Sequence, residues 1–224
     1  MANKSGNAYG LTTLIPIRAG VPEHCPEGMD GQTHSACLRH LLQDVVRVSV
    51  DSPMALVPNT YLSRFYILED VYYQGSPTVL EHLKSHYLVF TANFHGDLEP
   101  WLDGMWKAIE SDIRAILQFC YGFEKVHDSA SFIDYIKKCQ VETTFYFNGS
   151  TDEPVAEQLK NLYLKQEFSK FVYENQGKSA QEIQSAFADF VARTQPENTA
   201  GPTWRPAAYD LDSVVKGQSM GAGR

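Results

Sequence analysis

No apolar run in this 224-residue chain approaches the roughly 18 residues that a membrane-spanning helix needs. The stretch Met1 to Gly10 is polar and lacks the apolar core of a signal peptide. The expectation is therefore a cytoplasmic protein whose four cysteines, Cys25, Cys37, Cys120 and Cys139, are reduced. On that expectation the sequon Asn148-Gly149-Ser150 carries no weight, because glycosylation needs a secretory route. Runs of Lys and Arg are missing too. With 19 Lys and Arg against 27 Asp and Glu the net charge is −8, which argues against nucleic acid or an anionic membrane surface as a partner. A G-x-S-x-G elbow, a Walker A loop and a G-x-G-x-x-G turn are all absent. Neither nucleophilic nor nucleotide-dependent chemistry has local support.

What is present is a well-patterned body. A hydrophobic fraction of 43% and an aromatic fraction of 12% exclude intrinsic disorder as the state of the whole chain. Leu11 to Ile17 (LTTLIPI), Tyr61 to Val71 (YLSRFYILEDV), His86 to Phe94 (HYLVFTANF) and Val141 to Asn148 (VETTFYFN) read as strands. Helical spacing predicts a helix over 35–48 and a longer one over 97–120. Asp97 stands at the start of the second, and Trp101, Met105, Ile109, Ile113 and Ile116 lie on its buried face. Shorter helices are predicted at 131–139, 154–173 and 179–194.

The order β-α-β-β-α-β is the ferredoxin-like one. The predicted fold class is α+β: one antiparallel sheet with helices on one face, plus C-terminal helices. The expected organisation is a flexible N-terminus over 1–9, the α+β domain over 10–150, a helical extension over 151–194 and an arm-like tail over 195–224.

The segments LTTLIPIRAG, YLSRFYILED, LVFTANFHGDLEPWLDGM and FYFNG resemble the dimeric α/β-barrel superfamily over roughly residues 10–150. That superfamily includes dye-decolourising peroxidases, chlorite-dismutase-like haem proteins and small monooxygenases. The resemblance implies a sheet face, opposite the helices, used for a homodimer or for a ligand pocket. It transfers no catalytic residue by motif.

Strand alternation puts aromatic and polar side chains side by side on that face. Arg64, Asn93, His95 and Tyr146 are the candidate ligand-binding set. Arg64 lies amid an apolar strand; pointing inward it calls for a carboxylate such as Glu142, and otherwise it suits an anionic ligand group.

Other constellations are weaker. Cys25, His34, Cys37 and His40 are zinc-compatible donors in no standard spacing, and loop histidines beside a buried Cys account for them better. His95, Asp97 and Glu99 could supply a base with carboxylates, yet a helix cap and a dipole partner need the same residues. Haem could draw on His82, His86, His95 or His127 by residue type, but the resemblance implies a proximal His on the helix after the second strand pair, and the helix over 97–120 holds none. Two functions follow: a homodimeric accessory or small-molecule-binding protein, or an oxidoreductase of the cofactor-free monooxygenase or haem-peroxidase type working in a sheet-face cavity.

Overall fold

A computed structural model describes residues 3–45, 52–72, 75–76, 81–149 and 152–204. It divides into two compact units, Met1–Val155 and Ala156–Arg224.

The first unit is α+β. Its strands are β1 (Lys4–Ser5), β2 (Ala8–Pro16), β3 (Thr60–Leu68) and β4 (Tyr87–His95), and its helices α1 (His34–Val45), α2 (Leu98–Leu117) and α3 (Ser129–Cys139). The strands form one antiparallel sheet in the order β1-β2-β4-β3. Residues 46–48 of the first predicted helix lie outside the described residues, as do 77–80 and the tail beyond 204.

Alternation along β2 and β4 turns Leu11 and Ile15, and Leu88, Phe90 and Phe94, toward the helices, where all are buried. Cys37 and Leu38 of α1, the apolar stripe of α2, and Phe132 and Ile136 of α3 join the same core cluster. The helices of this unit therefore share one face of the sheet. Within the core, Trp101 stacks on Phe94 at 4.0 Å between ring centres, and Phe65 stacks on Phe90 at 4.4 Å. The Trp101 indole N–H is satisfied by Thr60 Oγ1 at 3.1 Å. Trp101, Met105, Ile109, Ile113 and Ile116 are all buried, as their spacing predicts.

Residues 141–148 form no strand, contrary to the expectation from their alternation. The reason is competition for the edge of β2. A ladder starts there, with Gln140 bridged to Thr13 and Val141 N–H donating to Thr12 O at 2.8 Å. Farther along, Lys4 and Ser5 occupy that edge, paired with Tyr9 and Ala8, and Gly10 N–H donates to Asn3 O. The chain after 142 is held instead by side chains: Thr143 N–H donates to Asn3 Oδ1 and Asn148 N–H to Ser5 Oγ. Thus part of the stretch expected as a flexible N-terminus takes the place expected for the fourth strand.

The loop before α1 turns back so that Cys25 is bonded to Cys37 in a disulfide, with Cα atoms 5.9 Å apart. The expectation of four reduced thiols fails for this pair. Only Cys120 and Cys139 are free.

The second unit contains α4 from Ala156 onward (the helix is Val155–Glu174) and α5 (Ala180–Thr194). Ser179 and Glu182 form a capping box at the start of α5. Phe168, Phe171, Phe187 and Phe190 cluster between the two helices, with ring centres 5.3–5.9 Å apart. Lys160 is buried and donates to Thr194 O at 2.7 Å and Pro202 O at 2.8 Å, so the cation meets the carbonyl end of α5. Among the described residues no helix is long and apolar enough to cross a membrane.

Candidate functional site

A bulge decides which side chains share the outer face of the sheet. Thr60 pairs with Phe94 and Leu62 with Asn93, leaving Tyr61 as the extra residue of β3. Strict alternation puts Tyr61 on the core side with Phe65, but the bulge brings its hydroxyl to His95, whose Nδ1 is 3.0 Å away. The same hydroxyl donates to Glu153 O at 3.0 Å. With its single proton spent there, the phenol oxygen accepts from His95 Nδ1–H.

Tyr146 reaches this face by another route. Its ring lies against Gly10, with Cδ2 only 2.8 Å from where a Cβ would stand. Gly10 pairs with Asn93 across the sheet. Asn93, His95 and Tyr146 are therefore drawn to one region, joined by Tyr61, which the alternation pattern misses. Burial, then the charges of Asp152, Tyr146 and Glu153, push the Tyr61 phenol above its ordinary pKa; burial does the same to Tyr146. Neither phenol is poised to lose a proton near neutrality. Asp152 accepts from Asn7 N–H at 2.6 Å and from Asn7 Nδ2 at 3.0 Å, pinning the β1–β2 turn. The cluster forms a latch that holds residues 141–149 and 152–153 to the sheet.

Arg64 stands apart from that latch. It pairs with Thr91, which pairs with Thr12, and Val141 lies beyond Thr12. Three spacings of about 4.8 Å put Arg64 roughly 14 Å from residue 141, so the expected pairing with Glu142 does not form. Arg64 is exposed and makes no ion pair among the described residues.

It does line a cavity on the other side of the sheet. This space, about 750 Å³, lies between β3, α1 and α2. Met105, Ile109, Ile113 and Ile116 of α2 form one wall, and Phe65, Ile67 and Phe90 the wall opposite. Phe132 and Ile136 also border the space, and Met54 and Leu42 close its flanks. α2 is kinked at Ile109, in the middle of the wall, where its side faces open volume. Residues 63–67 all line the space, both the inward and the outward ones. A strand can do that only if the opening runs past its edge, and β3 is an edge strand. The size falls in the range of small-molecule sites, which are mostly apolar with a few polar groups. The polar groups here are Arg39, Gln43, Ser52, Ser63, Arg64 and Asp112.

The remaining candidates disperse. The Cys25–Cys37 bond removes both thiolates from the zinc-compatible set, and among the described residues no group of three His, Cys, Asp or Glu is placed to hold a metal. Asp97 occupies the N-cap position of α2, but its carboxylate is ion-paired with Lys4 and makes no capping bond. Glu99 accepts from Lys137 at 2.6 Å. His82 contacts Asp70 at 2.6 Å, and His127 accepts from Arg114 through its carbonyl at 3.0 Å. None of the four histidines considered for haem, nor any Cys, lines the cavity, so its donor set does not fit a haem held by His or Cys.

Comparison with known proteins finds no matching family model, no matching curated protein and no matching solved structure.

Proposed function

We propose that this chain is a small-molecule-binding protein that takes an apolar ligand between β3 and α2. The observation that carries the reading is the cavity of about 750 Å³ with apolar walls and an opening at a strand edge. An open apolar space of that size leaves its lining side chains without packed neighbours, which costs stability unless something fills it. The test is a fluorescence titration with the neutral apolar probe N-phenyl-1-naphthylamine. The reading expects saturable binding that is lost in Ile113→Phe, which fills the space. Binding that survives that substitution would place the probe elsewhere and remove the support.

We further propose that the protein is a homodimer joined through the outer sheet face, in the manner of the dimeric α/β barrels. The spatial order β2-β4-β3, with helices on one face, supports a ferredoxin-like core. Leu62 and Tyr66 are 51% and 48% exposed on the outer face, beside Leu14 of β2 at 38%. A self-complementary patch of this kind suits two-fold association. Light scattering decides it: a mass near twice 25.2 kDa, returned to the monomer value by Tyr66→Asp, is expected. A monomer at every concentration sinks the proposal.

A further inference from the structure

Building on the proposed apolar ligand, we infer that the ligand is an elongated amphiphile with an anionic head, and that Arg64 takes that head at the mouth of the cavity. The shape argues for length. The lining runs along α2 from Met105 to Leu117, about 18 Å at 1.5 Å per residue. Across from it the lining follows β3 over residues 63–67, about 13 Å. A long, narrow molecule fills such a space better than a compact one.

Charge argues for the head. Two cations line the cavity, Arg39 and Arg64, and Arg39 is already ion-paired with Glu69 at 2.5 Å. Arg64 is the lining cation without an anionic partner among the described residues. Arg64 is exposed and borders the space from the edge strand β3, so a head group bound to it stays hydrated while the tail is buried. An arginine stem can lie along apolar surface with its guanidinium in water, and the planar fork suits a carboxylate. One lining group opposes this arrangement. Asp112 borders the cavity from α2, its carboxylate accepting, among the described residues, from Ser111 Oγ at 3.4 Å, and it favours a cationic head instead.

Three probes of equal chain length separate the cases: dodecanoate, dodecanol and dodecylamine, each titrated by calorimetry into the full chain, Arg64→Gln and Asp112→Asn. Both substitutions are conservative, and Arg64 is exposed, so the fold is expected to survive. The inference predicts that dodecanoate binds most tightly, loses about tenfold in Arg64→Gln, and leaves dodecanol affinity unchanged by that substitution. Equal binding of all three overturns the anionic head but keeps the apolar site. Preference for dodecylamine, abolished in Asp112→Asn, overturns it in favour of the opposite charge. Binding of none overturns both this inference and the proposed function.

Discussion

The ring of Tyr146 occupies the space that a side chain at position 10 needs, with its Cδ2 2.8 Å from the Cβ site of Gly10. This one contact ties a loop that failed to become a strand to the middle of the sheet, since Gly10 is paired with Asn93 of β4. Any residue larger than glycine must displace the ring. Gly10→Ala is expected to destabilise the protein by about 1–3 kcal/mol, measured by denaturant unfolding. In a Tyr146→Ala background the same change is expected to cost much less, because the clash is gone. Equal costs in both backgrounds contradict the contact.

The disulfide predicts a thiol count and a stability difference. Under denaturing, non-reducing conditions two of the four cysteines should react with a thiol reagent, and after reduction four. In the native protein Cys120 should resist alkylation, since burial pushes its thiol up to about 12. Cys25 and Cys37 are 12 residues apart, and a loop of that size is worth about 2–4 kcal/mol when closed. Reduction should therefore lower the thermal midpoint, and Cys25→Ser should reproduce the loss. Four reactive thiols without reduction would contradict the bond.

These two features show what the sequence makes legible and what it does not. Spacing alone predicts the buried face of α2 from Trp101 to Ile116, because one helix face records its own burial. It does not predict the cavity, because periodicity tells which face turns inward and not how well the opposing faces fill the space. Alternation over residues 141–148 predicts a strand, and the local pattern is sound. The outcome turns on whether Lys4 and Ser5 reach the same edge of β2 first, a contest between segments some 140 residues apart. Tyr61 is lost to alternation by a one-residue bulge. Of the candidate site, Asn93, His95 and Tyr146 do converge, but in a latch; Arg64 meets the cavity only because β3 is an edge strand.

Acid should weaken the fold through His34. Burial, then the nearby Arg18 charge, holds its imidazole below the ordinary value of 6.5, and its Nδ1 is buried without a partner among the described residues. A His whose folded pKa is depressed binds fewer protons than in the unfolded chain, so stability rises with pH through this range. The contribution is present above about 6.5 and is lost as pH falls below it. Denaturation midpoints should drop between pH 7.5 and 5.5, and His34→Gln should flatten that part of the profile. An unchanged slope in the variant would assign the effect to other groups.

An apolar ligand seated between β3 and α2 is located by where a probe is felt. The chain places isoleucines at positions 15, 67, 109, 113, 116 and 136 around the cavity, while Ile183 belongs to α5 in the second unit. Isoleucine-methyl NMR during titration with dodecanol reads all of them in one spectrum. Saturable shifts are expected at Ile109, Ile113 and Ile116, smaller ones at Ile15 and Ile136, and an unmoved Ile183. Shifts confined to Ile183, or none at saturating probe, would contradict it.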